Sequence, residues 1–274
     1  MILNKDCPLY FEVAGEGPPL VFISGWAMSS HCWRPVVAQL QRDHRCLIYD
    51  PRGVARSQPV SADARFEIED HAEDLHSLLT QTGFYDATMI AHETGAFIAA
   101  LAATRHPQDV RSLVLVSPRA AVEQDEIKKL SVLTPTALAL REMAAFPVLR
   151  NLVAWRFRRA PEPYRKQLFT DFAELDPRAA YQTALAAADF ASVFQLDQFV
   201  SSANLPTLAV CGEEDKRSRD EARKIFSRAK RAKLATLKDC GFLPMLEYPV
   251  QFVRLIRDFV AKTARTESKT LERL

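Results

Sequence analysis

Short apolar runs alternate with longer stretches of helical periodicity along most of the chain. Runs such as PPLVFIS and SLVLVS are continuously apolar, as strands are when both faces of a sheet are covered. The pattern predicts strands near Tyr10–Val13, Leu20–Ile23, Arg45–Tyr49, Ala87–Ala91, Leu113–Val116, Thr207–Cys211 and Ala235–Leu237. Between them, IEDHAEDLHSLLT sets Ile68, Leu75, Leu78 and Leu79 on one helical face, with acids in the first turn where they favour the macrodipole. Further helices are expected near Trp33–Leu40, Gly95–Thr104, Asp220–Lys230 and Val250–Thr263. Strands alternating with helices imply an α/β fold, a mostly parallel twisted sheet flanked by helices.

One interval departs from this rhythm. From about Arg119 to Asn204 the sequence is rich in alanine, leucine and arginine and is broken at Pro135, Pro147, Pro161, Pro163 and Pro177. It reads as a helical insertion, giving an α/β core of residues 1–118 and 205–274 and a helical cap of residues 119–204. Within the cap, Leu133–Phe146 and Ala179–Phe194 are apolar on one face, which suits a hydrophobic small molecule beneath them. The tail after Lys262 is polar and extends or frays the last helix.

Composition narrows the partners. The 36 basic and 34 acidic side chains nearly balance, so nothing requires nucleic acid or an anionic membrane. The aromatic and basic stretch WRFRRAPEPYR is a solvated helical face on this reading. No apolar run approaches the ~20 residues of a membrane span, and the expected location is cytoplasmic. The 5 cysteines are odd in number and scattered, as reduced core thiols are. A small-molecule substrate or ligand is expected, with no cofactor and no metal, and self-association into a homo-oligomer is compatible with the sequence.

Four segments resemble the α/β-hydrolase superfamily, in the order the family uses and around an insertion where it places its cap. PLVFISGW resembles the strand and oxyanion turn; DPRGVARS resembles D-x-R-G-x-G-x-S; CGEED resembles the turn that supplies the acid, at Asp215; and KDCGFLPMLEYP resembles the segment that supplies the histidine. Trp33 stands where the family often has tryptophan. Of only 8 glycines, Gly25, Gly53, Gly212 and Gly241 occupy these turns and Gly95 the turn AHETG, where positive φ or close backbone approach is needed.

The departures decide the chemistry. In AHETG, Glu93 stands where the family's G-x-S-x-G elbow has serine, and Phe242 stands where it has histidine. His31, His44, His71, His76, His92 and His106 all precede the acid position, so none follows it in the family's usual order. The serine mechanism therefore lacks both hydroxyl and base. A carboxylate nucleophile, as in the dehalogenases and epoxide hydrolases of the superfamily, would still need a histidine to release its ester.

Two readings stay open. Glu93 is a general acid or base in a non-hydrolytic reaction, such as isomerisation, elimination, cyclisation or decarboxylation, with its pKa raised by an apolar pocket and the Trp26 and Thr94 N–H groups as oxyanion donors. Alternatively the fold binds a small molecule without chemistry, as the gibberellin-receptor branch does, and Glu93 meets a cation or a neighbour such as Arg119. Hydrolysis through Glu93 as nucleophile is the weaker third reading. Ser24, His92, Arg119 and Phe242 are expected to line the pocket. His92 packs beside the sheet, His31 lies on a surface loop, and Asp215, with no histidine to orient, caps its local turn.

Overall fold

The computed structural model describes residues 2–4, 6–119 and 157–271. The strands are β1 (Ile2–Asn4), β2 (Cys7–Leu9), β3 (Phe11–Ala14), β4 (Pro19–Ile23), β5 (Arg45–Tyr49), β6 (Ala87–His92), β7 (Val110–Val116), β8 (Thr207–Gly212) and β9 (Ala232–Leu237). The helices are α1 (Arg34–Leu40), α2 (Ile68–Thr82), α3 (Gly95–Arg105), α4 (Glu162–Ala173), α5 (Pro177–Val193), α6 (Leu196–Ser202), α7 (Lys216–Phe226), α8 (Pro244–Glu247) and α9 (Pro249–Leu271).

Side chains alternate across a strand, and β4 uses both faces: Leu20 and Phe22 enter one core, Val21 and Ile23 the other. Beneath the second face lie α2 and α3, through residues such as Leu75, Leu79 and Phe97. Beneath the first lie α1 and α9, through Val36, Phe252 and Ile256. Seven strands form the sheet in the order β3, β5, β4, β6, β7, β8, β9. All neighbours run parallel except β3, which pairs antiparallel with β5. Two covered faces explain why every residue of β6 and of β8 is buried, and hence why these strands read as unbroken apolar runs.

The described residues between β7 and β8 are helical, in α4, α5 and α6. The expected cap helix Leu133–Phe146 lies outside the described residues. Three expectations need correction. The helix expected at Asp220–Lys230 spans Lys216–Phe226, because Asp215 caps it through the Ser218 N–H and starts it earlier. The hairpin of β1 and β2 was not expected, since two three-residue strands carry almost no periodicity. The basic aromatic stretch is a solvated face only in part: Arg158, Pro161, Glu162 and Pro163 are exposed, but Phe157 is buried and Arg159 holds Glu247 (Nε to Oε2, 2.8 Å). The five cysteines are free and buried, and burial raises the Cys7 thiol to about 11. Among the described residues no helix is long and apolar enough to cross a membrane.

The start of α3 presses on the end of β4: a Cβ at Gly95 would lie 2.9 Å from the Ile23 carbonyl oxygen and 3.0 Å from that of Ser24. Backbone cannot yield there as a side-chain tip would. Gly95→Ala is therefore expected to lower stability by about 1–3 kcal/mol; an unchanged urea midpoint would contradict this packing.

Candidate active site

Strand β6 ends at His92, and the next residue turns the chain into α3. That residue is Glu93, with φ of 50°, a left-handed conformation that is uncommon for a residue with a side chain. Its N–H donates to the Val116 carbonyl at 3.0 Å, and its own carbonyl accepts from the Ala96 N–H at 3.0 Å. The turn is thus tied to the neighbouring strand and to the helix. Glu93 is only 6% exposed, and its Oε2 accepts the Trp26 N–H at 3.2 Å. Room for the carboxylate comes from Gly25, where a Cβ would meet Glu93 Oε2 at 2.9 Å and His92 Nδ1 at 2.6 Å. Thr94, also buried, is the N-cap of α3, so the positive end of an 11-residue helix begins next to Glu93.

On the histidine side, Phe242 follows β9 and the ring of His92 packs edge-on against it, centroids 4.6 Å apart. The Phe242 carbonyl accepts from His92 Nε2 and from the Ser117 hydroxyl, each at 3.2 Å. His92 is fully buried and carries its proton on Nε2, because a carbonyl only accepts. Arg119 lies with Cζ 5.6 Å from the Phe242 ring centroid. Glu247, which sequence reasoning did not single out, braces this loop by accepting the Gly241 and Leu243 N–H groups at 2.8 and 3.1 Å. The acid loop lies against it, the Glu214 N–H donating to the Cys240 carbonyl at 2.8 Å. Asp215 accepts the Ser218 N–H at 3.3 Å through Oδ1, whereas its buried Oδ2 has no hydrogen-bond partner among the described residues. An acid is thus present beside a loop that carries no imidazole for it.

A family model described as the alpha/beta hydrolase fold matches residues 18–249. The chain belongs to the α/β-hydrolase fold family. RutD of Variovorax paradoxus, a candidate carbamate hydrolase by its name, is 35% identical over 113 residues, 40% of this chain and 42% of that protein. A haloalkane dehalogenase of Mesorhizobium japonicum is 31% identical over 107 residues, 39% of this chain and 34% of its own. Those matches span less than half the length of the curated relatives. A thermophilic esterase from Thermogutta terrifontis superposes with a TM-score of 0.80 at 20% identity, over 94% of each chain, which shows the shared fold.

Within this α/β-hydrolase framework the described helices between β7 and β8 meet the turns that follow β4 and β5. The Trp26 indole Nε1 donates to the Ala180 carbonyl at 2.7 Å, and its ring meets Phe172 edge-on. Gly53 accepts the Asp176 N–H at 3.0 Å. His31, expected on a surface loop, instead bonds Asp171 of α4 through Nδ1 at 2.7 Å, and the Ser29 hydroxyl donates to the same carboxylate. Burial alone would raise the Asp171 carboxyl, but the hydrogen bonds from His31, Ser29 and Gln167 outweigh it and hold its pKa below the ordinary value. Ser24, expected in the pocket, is 1% exposed; its hydroxyl donates to the Ser29 carbonyl and accepts the Trp33 indole N–H, so it holds the turn together. The partners in the insertion, Ala180 and Asp171, were not legible, since they lie 140 to 154 positions from His31 and Trp26. The group of three metal-ligating side chains found among the described residues, His76, His106 and Asp109, belongs to the other end of the sheet.

At this seam His71 of α2 meets the Thr183 hydroxyl at 3.2 Å. Burial, and secondarily the Arg52 charge, pushes its pKa down from 6.5 to about 3. As pH falls below about 6.5 the unfolded chain takes up a proton that the native His71 refuses, so stability falls, by up to ~1.4 kcal/mol per pH unit. His71→Gln is expected to flatten this acid-side slope; a variant whose urea midpoints between pH 7 and 5 track those of the wild type would count against it.

Proposed function

We propose that the chain is an enzyme in which Glu93 acts as general acid and base in a non-hydrolytic reaction of an apolar small molecule, an isomerisation, elimination, cyclisation or decarboxylation. The observation that carries this reading is the buried carboxylate held on a left-handed residue at the elbow. Both features cost free energy, on the order of 1–2 kcal/mol for the backbone and more for the buried charge. Alanine or glycine would avoid the second cost and glycine the first. Backbone strain of this kind concentrates at sites where it serves function.

In the proposed cycle the substrate lies between the sheet and the helical cap. Glu93 removes a proton from substrate carbon or hydroxyl and returns it at another position, so no net proton is consumed. When Glu93 takes up the proton it becomes a poorer acceptor. The Trp26 and Thr94 N–H groups then turn toward the oxygen on which negative charge develops. Phe242 keeps water from the reacting atoms and offers no base. Covalent hydrolysis is disfavoured for that reason: an ester on Glu93 would form with no imidazole beside Asp215 to activate water for its release.

A second reading, a non-catalytic small-molecule binder, is favoured by one observation. The Trp26 N–H, in the position of an oxyanion donor, already donates to the protein's own carboxylate.

The test is to incubate the protein with a panel of apolar ketones, lactones and esters in D2O and follow deuterium uptake and product by mass spectrometry. Proton transfer predicts exchange or rearrangement that Glu93→Gln reduces by roughly 100-fold or more, with substrate affinity little changed. Binding without exchange, weakened in Glu93→Gln, would establish the binder; acid release from an ester by wild type would establish hydrolysis and overturn the proposal.

A companion expectation concerns restoration. Glu93→Ser alone leaves p-nitrophenyl acetate intact, because its hydroxyl has no base. Glu93→Ser with Phe242→His gives a weak esterase, the new imidazole donating to Asp215 Oδ2. Esterase activity in the single variant would show that another side chain supplies the base.

A further inference from the structure

We propose that His76, His106 and Asp109, with Glu73 beside them, form a site for a zinc-class divalent cation. The site lies at the opposite edge of the sheet from Glu93. Asp109 immediately precedes β7, whose first residues pair in parallel with the start of β6, and Glu93 follows the far end of β6. His76 projects from α2 one turn beyond Glu73, and His106 caps the C-terminus of α3.

Three features point to a cation. One ligand atom from each of His76, His106 and Asp109 lies within 4.8 Å of the others. A tetrahedral zinc with ~2.0–2.1 Å bonds spaces its ligands by roughly 3.3 Å, so small side-chain shifts suffice. Second, Asp109 is 1% exposed, and its buried Oδ1 has no hydrogen-bond partner among the described residues. His106 Nε2 is likewise buried without one, its nearest carboxylate oxygen, Glu73 Oε2, standing 3.6 Å away. Such groups are costly to bury and are what a metal ion satisfies. Third, the C-terminus of α3, the negative end of its dipole, ends on His106.

Two features oppose binding, and both yield. The imidazoles of His76 and His106 stack face to face, centroids 3.5 Å apart with planes at 3°, so their lone pairs run parallel. Ligation turns one ring about its Cβ–Cγ bond until both aim at one point. The Arg105 guanidinium stands nearby, holding Glu73 Oε1 at 3.0 Å, but that pair is exposed and worth little. In the metal-free chain His76 Nδ1 shares a proton with Asp109 Oδ2 at 2.7 Å. The cation takes that place and the imidazole keeps its proton on Nε2; protons compete with the cation for the imidazole nitrogens, so affinity falls as pH drops. Two imidazoles and carboxylate oxygen suit zinc, cobalt or nickel better than calcium or magnesium.

The experiment uses the full, tag-free chain, stripped with chelator and desalted, and titrated calorimetrically with zinc sulfate and cobalt chloride. Wild type is expected to bind one ion per chain with micromolar affinity, and zinc is expected to shield two histidines from diethyl pyrocarbonate. His106→Gln, with native circular dichroism, should weaken binding by roughly 30-fold or more, as should Asp109→Asn. Glu93→Gln should leave it unchanged, which separates this site from the one proposed for catalysis. Absence of saturable 1:1 binding, protection of other histidines, or binding that His106→Gln leaves intact would each overturn the proposal.

Discussion

A carboxylate on a left-handed residue, at the end of a buried strand, can be held only where the chain on every side makes room and meets its polar atoms. The site is organised around that demand. Gly25 leaves out the side chain that would overlap Glu93 Oε2, and Gly95 lets α3 start against the end of β4. Val116 fixes the Glu93 N–H, Trp26 supplies a donor to the carboxylate, and the N-terminus of α3 supplies positive potential. Removing any one of these would leave a charge or a strained backbone without its compensation.

Strain extends beyond this residue, and its distribution follows the sheet. Seven residues other than glycine have positive φ among those described, and five of them, Ala27, Ala55, Glu93, Ser117 and Asp239, lie in loops after the C-terminal ends of β4, β5, β6, β7 and β9. Open parallel sheets bind ligands at that edge, where loops from different strands converge. The acid residue has a separate reason to be there. As N-cap of α7, Asp215 contributes what a typical cap does, about 1 kcal/mol, whatever its other oxygen faces. Its presence therefore says less about chemistry than the buried carboxyl group of Glu93 does.

Periodicity made the sheet legible because its strands are covered on both faces; in Arg45–Tyr49 one arginine leads into four buried residues, and the stretch is the strand β5 to the residue. The helix after Asp215 was misplaced because KRSRD carries no apolar face at its start, although the cap residue itself was in view. For the site, glycine positions and two substitutions identified the elbow and the missing imidazole. Hydrogen bonds such as His31 to Asp171 were beyond reach, because a pattern reports which face a residue takes and not which distant side chain will meet it. Ser24 shows the converse: a hydroxyl in the right turn, drawn inward by the Trp33 indole.

Trp26 joins the elbow to the helices between β7 and β8. Its backbone N–H donates to Glu93, while its indole donates to the Ala180 carbonyl of α5 and its ring meets Phe172 of α4. A ligand entering beneath these helices must either fit the space they leave or displace them. Displacing α5 breaks the 2.7 Å indole bond and frees the side chain of the residue whose N–H steadies the carboxylate. The position of the insertion helices and the hydrogen bonding of Glu93 are thus linked through a single residue. The carboxylate is held by the Trp26 N–H while that residue's indole holds α5, so movement at one bond is felt at the other.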